Sequence, residues 1–215
     1  MKNTAHNMEA PESDLPIGVQ KRGQKRVREI VKVAENIFAF EGYESFSLRY
    51  IASKAGTSLG SIQHYFPNKE SLLKTVIEQR LKDNIDKARK VVNDNDLNSV
   101  QRFERFIDYC IECNNSSFIR AFHYELWAIA SRDKFIRDCR DIMTDAYCEY
   151  IYELITPLAT TLSKNELKKK AVMILATLQG LRLIAGSNIN LNFDHGDLDT
   201  NLKKELLNFA QTKLS

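Results

Sequence analysis

No run of about eighteen uncharged apolar residues occurs in this chain of 215 residues, so no membrane span is expected. Glycine and proline are scarce, with 8 and 4 copies, which excludes collagen-like and loop-rich architectures and favours an all-helical chain. No strand-like alternation persists, and there are no internal repeats or low-complexity tracts. Cysteine is limited to Cys110, Cys113, Cys139 and Cys148, all within helical patterns. Cys110 and Cys113 have C-x-x-C spacing but no second pair at metal-ligand distance, so they read as reduced core thiols; no metal and no cofactor is expected. A nucleotide-binding glycine loop, an HExxH helix and a Ser/His/Asp order are all missing, so no enzyme is expected. Residues 1–20 are polar, hold Pro11, Pro16 and three acids, and lack an apolar signal core. They are expected to form a disordered tail on a cytoplasmic protein.

What the chain does have is uneven charge. Residues 21–69 carry nine basic and four acidic side chains, whereas residues 70–215 carry twenty-one of each. An excess of cations confined to one segment attracts phosphates and releases counterions on binding.

That segment is patterned as short helices. A first helix over about residues 24–41 places Val27, Ile30, Ala34, Ile37 and Phe38 on one stripe, and Gly42 ends it. Ser47 can cap a second helix whose apolar face is Leu48, Ile51, Ala52 and Ala55. Gly56 then turns the chain into a third helix, about residues 59–65, anchored by Ile62 and Phe66. This is the layout of a helix-turn-helix, whose second helix lies in the DNA major groove. Pro67 and Asn68 open a long fourth helix that continues to about Val92. Five further helical patterns cover about residues 99–113, 118–131, 134–155, 164–188 and 198–213, with a polar loop over 190–199.

The segment resembles the DNA-binding domain of the TetR family of bacterial transcriptional regulators. Gly42-Tyr43, Ile51-Ala52, Ala55-Gly56, Ser58 with Gly60, His64-Tyr65-Phe66 and Lys69-Glu70 carry the resemblance, at fixed spacing over about residues 24–73. It implies an all-α fold of about nine helices: an N-terminal three-helix helix-turn-helix domain (21–70) and a C-terminal helical bundle for ligand binding and dimerisation (71–215).

Base readout is expected from Gln63, which can bond adenine in a fork, with Arg49, Ser58, Leu59, Gly60 and Ser61 close to the duplex. By resemblance, His64, Tyr65 and Lys69 are phosphate-side contacts; Ser47, Lys25 and Arg26 add further clamps. Phe46, where the family often has a small hydroxyl residue, is expected to pack into the three-helix core.

Aromatic residues of the second part suggest a ligand cavity between bundle helices. The candidates are Phe103, Phe106, Tyr109, Phe122, His123, Trp127, Tyr147, Tyr150 and Ile151, closed by Met173, Thr177 and Leu181. Most of these also satisfy plain core packing. The acidic pair Glu104/Asp108 and the basic run Lys168 to Lys170 read as solvated faces.

A two-fold operator requires a dimer. As in the family, the last two helices are expected to form it, through Ile174, Leu178, Ile184, Leu202, Leu206 and Phe209. Gly180 and Gly186 would allow close helix approach.

The expected function is a homodimeric repressor that binds double-stranded, pseudo-palindromic operator DNA and is released by an unidentified small-molecule effector. An activator or architectural DNA binder of the same fold is one alternative. A helical-bundle carrier or enzyme with a vestigial DNA module is another.

Overall fold

A computed structural model describes residues 21–185 and 197–213. The expected tail over 1–20, Gly186 and most of the polar loop lie outside these. Nine α-helices and no strand occur among the described residues. They are α1 Lys21–Ser45, α2 Leu48–Lys54, α3 Leu59–Tyr65, α4 Lys69–Val92, α5 Ser99–Asn115, α6 Ser117–Ala130, α7 Lys134–Ile155, α8 Lys164–Ala185 and α9 Leu198–Gln211. A single 3₁₀ turn over Thr156–Leu158, with Pro157 inside it, follows α7. No described helix is long and apolar enough to cross a membrane.

Local chemistry sets most boundaries. The regular run of α1 breaks at Gly42, whose φ of 79° is cheap only without a Cβ. Asn98 and Gln101 form a reciprocal capping box that starts α5. Ser116 and Asp133 accept the free N–H groups of Ile119 and Ile136, starting α6 and α7. Glu166 accepts from the Ser163 hydroxyl at 2.6 Å and from the Ser163 backbone N–H at 2.8 Å at the head of α8, and these bonds hold its carboxyl below the usual range.

The chain divides into two compact units, the first ending at Lys82 and the second starting at Asp83, so α4 belongs to both. In the first unit the expected stripe of α1 is fully buried, together with Ile51, Ile62, Leu72 and Val76. Phe46 is buried and meets Phe38 edge to face at 6.2 Å, as expected for a core residue. Two polar ties fasten α4 to α1. Arg80 Nε donates to Glu35 at 2.6 Å in a half-buried pair. Lys69 Nζ donates to the Tyr43 carbonyl at 3.0 Å and lies 3.6 Å from the Tyr43 ring centre.

The second unit has one main apolar core, built from Phe103, Phe106 and Ile107 of α5, Tyr150, Ile151 and Leu154 of α7, Ile174 and Leu178 of α8, and Leu206 of α9. Burying one such side chain contributes about 1.5–3 kcal/mol. Arg89 of α4 lies 4.2 Å over the Tyr150 ring and donates to both Glu153 oxygens, at 3.1 and 3.0 Å. The second half of α4 is thereby held to α7.

Two surface assignments made from the sequence need correction. Lys168 and Lys169 are exposed, but Lys170 is 0% exposed. Its stem fills the core and its ammonium donates to the Phe209 carbonyl near the end of α9, over the Phe209 ring at 3.9 Å. Asp108 is half-buried and accepts from Lys203 at 2.9 Å, tying α5 to α9.

Candidate functional site

The α2–α3 pair is built by its own caps. Ser47 Oγ accepts from Tyr50 N–H at 3.3 Å, starting α2. At the end of α2, Thr57 N–H donates back to the Ala52 carbonyl at 3.0 Å across Gly56. Gly56 has φ +59°, the left-handed conformation that an L side chain resists. Ser58 Oγ then accepts from Ser61 N–H at 3.1 Å, starting α3. Arg26 Nη2 donates to the Gly56 carbonyl at 3.2 Å, so a residue expected to clamp phosphate also braces the turn from α1.

The α3 helix is pinned at one face only. Ile62 is fully buried and Phe66 nearly so. Ser61, Gln63 and His64 are exposed, Leu59 and Tyr65 are half-buried, and His64 meets Tyr65 edge-on at 4.9 Å. A Cβ placed on Gly60 would meet nothing nearer than Ser58 Oγ at 4.0 Å. Internal packing therefore gives no reason for a glycine there. Its helix-propensity cost of up to about 1 kcal/mol is offset by no close packing among the described residues.

Lys25, Arg28 and Arg49 are exposed. Lys69 is committed to Tyr43, and the Ser58 and Ser61 hydroxyls face each other at 3.1 Å. Of the twelve residues expected to meet DNA, α2, α3 and their caps carry nine on one short stretch. Lys25, Arg26 and Lys69 come from the flanking helices. What these groups offer is short polar side chains around an unobstructed backbone, with cations nearby, which suits a phosphate-lined groove better than a small ligand.

The second unit holds a small, partly open cavity with about 20 Å³ of room for water centres, enough for about one water. Its walls are Asn84 of α4, Cys110, Cys113 and Asn114 of α5, Ile119 and His123 of α6, Met143 and Tyr147 of α7, and Leu175, Leu178, Gln179 and Arg182 of α8. His123 Nδ1 donates to the Ile119 carbonyl at 2.8 Å. Burial pushes the Cys110 and Cys113 thiols and the Tyr147 hydroxyl up, so all three stay neutral. No group of metal-binding residues occurs among the described residues.

Only His123 and Tyr147 of the expected ligand residues line this cavity. Phe103, Phe106, Tyr150 and Ile151 are consumed by the main core, and Phe122 is buried outside the lining. Tyr109 and Leu181 are half-buried against the core. Trp127, 45% exposed, lies 5.4 Å from the Arg140 guanidinium, and Met173 and Thr177 face outward. The polar wall went unread from the sequence. Asn114 and Arg182 were its available signal, each a polar residue continuing an apolar helical stripe, Ile107/Cys110/Ile111 and Ile174/Leu175/Leu178.

Among the six residues expected at a dimer interface, Ile174, Leu178 and Leu206 are buried within the unit itself and have no surface left for a partner. Leu202 and Phe209 are half-buried against its core. Ile184 is exposed, and Val172, Met173 and Leu183 add exposed apolar surface on the same helix.

A capped α2, a left-handed glycine turn and an outward α3 define a helix-turn-helix unit of the DNA-binding class. Residues 30–76 match the family described as bacterial regulatory proteins, tetR family, so this N-terminal domain belongs to the TetR family. The HTH-type transcriptional repressor KstR2 of Rhodococcus jostii (strain RHA1) is 34% identical over 67 residues, covering 31% of this chain and 33% of that protein. The match thus spans about a third of that relative. A solved transcriptional regulator from Pseudomonas aeruginosa PAO1 shares the fold with TM-score 0.71 at 16% identity, over 86% of this chain and 89% of that one. A regulator from Saccharomonospora viridis, solved in complex with choline, has TM-score 0.69 at 19% identity, over 86% and 95%.

Proposed function

We propose that this chain is a homodimeric transcriptional regulator that represses from a pseudo-palindromic DNA operator and is released by a small molecule. The observation that carries the reading is α3: one face anchored by Ile62, the other presenting Ser61, Gln63 and His64 beside a glycine whose outer side is open. Gln63 reads a base edge; Arg49, Tyr65 and the basic side chains of α1 hold phosphates. The exposed apolar residues of α8 supply the dimer contact, in place of the buried ones expected from the sequence. The related fold with bound choline supports a small-molecule role for the second unit.

Release is a linkage. One state of the dimer spaces two α3 helices about one duplex turn apart, ~34 Å. An effector that prefers another state shifts the population away from DNA. A tenfold release needs only about 1.4 kcal/mol of differential affinity. The α4 helix is the natural lever, because its first half is tied to α1 by Arg80 and its second half to α7 by Arg89.

Gel retardation with fragments from the gene's own promoter neighbourhood, repeated across a salt series, tests the reading. Retardation that weakens with salt at a slope of about −0.9 per phosphate contact is expected. Failure to retard any fragment at modest ionic strength sinks it and favours a carrier or enzyme role for the bundle.

A further inference from the structure

Arg182 is the one strongly basic group on the cavity wall, and among the described residues no carboxylate pairs with it. Its hydrogen-bond partners are neutral amides: Nε donates to Asn114 Oδ1 at 2.9 Å and Nη1 to Gln179 Oε1 at 3.4 Å. Asn114 is itself locked. It is 1% exposed, its Nδ2 donates to the Leu178 carbonyl at 2.9 Å, and its own carbonyl accepts from Arg120 at 2.7 Å. The guanidinium is therefore aimed by a fixed amide and held beside neutral thiols and a neutral phenol. Burial works against its charge. A guanidinium stays protonated in proteins, so a charge with only neutral amides beside it among the described residues lacks its best interaction.

We infer that this cavity takes a small organic carboxylate, with Arg182 receiving the carboxylate and Ile119, Met143, Leu175 and Leu178 seating an apolar tail. The guanidinium fork matches a carboxylate in two parallel bonds, and beside the polar Asn84, Asn114, His123 and Gln179 the wall carries the four apolar side chains that would seat the tail. The assignment names the chemistry of the effector proposed above and rests on that reading for its regulatory role alone. The space holds about one water, so a tailed acid needs its walls to part, and Asn84 places α4 among those walls.

Calorimetry on the full chain tests this with straight-chain carboxylates from acetate to decanoate, benzoate and phenylacetate, each beside its primary amide, and with inorganic phosphate. At least one carboxylate is expected to saturate about tenfold or more tightly than its amide, with phosphate far weaker. Arg182→Gln keeps a donor toward Asn114 and is expected to erase the preference; Arg182→Lys is expected to keep part of it. The inference is overturned if no carboxylate saturates, if an amide binds as well as its acid, or if Arg182→Gln retains the preference. Should Arg182→Gln not fold, the acid-to-amide ratio on the unaltered chain decides alone. Promoter retardation by the unaltered chain without ligand is read separately. DNA binding without any carboxylate preference removes this inference and leaves the regulator standing; no DNA binding removes the regulator whatever the cavity takes.

Discussion

The two units treat polar side chains in opposite ways. In the first, the polar groups of interest stand outside: Ser61, Gln63 and His64 point away from a small apolar core. In the second, Asn84, Asn114, His123 and Lys170 are buried, each at a place where a helix meets others. A surface meant for a long charged polymer needs reach and solvent access. A cavity needs enclosed groups whose orientation is set in advance, and enclosure is costly unless every group finds a partner. The first unit is therefore legible as a linear motif, and the second is not.

The sharpest way to break this division is to damage one core and look for the damage in the other. Phe46→Ala is expected to cost about 3–5 kcal/mol. Amide hydrogen exchange should show protection lost mainly up to Lys82; equal loss beyond Asp83 would erase the distinction between units. Next in size is the α8 surface. Leu183, 65% exposed, replaced by Glu should leave the fold intact and yield monomers in sedimentation. A persistent dimer would move the interface elsewhere. The same change at Leu206, buried in the core, would unfold the unit and say nothing about assembly.

Asn114→Ala tests whether the buried polar wall behaves as described. It strands Arg182 Nε and removes the second bond to the Leu178 carbonyl, and should cost about 1–3 kcal/mol in urea unfolding. A neutral result would mean that water replaces the amide. Gln63→Ala makes the opposite kind of test in the first unit: stability unchanged, with discrimination at one base pair reduced by about 1–3 kcal/mol in a binding selection. Unchanged preference would remove Gln63 from the reading surface. The smallest expected stability effect is at Gly60. Ala there should raise thermal stability by up to about 1 kcal/mol, since nothing lies within clash distance of the new Cβ, while DNA affinity falls. If affinity holds, close backbone approach at that turn is not used.

Legibility followed the range of the interactions. The α2 and α3 helices, the Ser47 cap and the Gly56 turn depend on contacts within a few residues, so pattern alone located them; the Ser58 cap is equally local but was not read from the sequence. The start of α4 behind Asn68 is local in the same way, with Ser71 N–H donating to Asn68 Oδ1 at 2.8 Å. The lining of this cavity was not legible because aromatic content says how much apolar surface a helix buries, not against what. Phe103 and Phe106 went to the core, and Trp127 to the surface.

The order of helices, the all-α class and the outward face of α3 follow from residue type and spacing, because capping, turn stereochemistry and helical periodicity are local properties. Which of those residues share a wall was decided only by tertiary packing. Asn114 and Arg182 are 68 positions apart and meet at 2.9 Å; Lys170 disappears beneath the end of α9. Nothing within one helical turn encodes such pairings, since they depend on how helices from distant stretches of chain fill the same space.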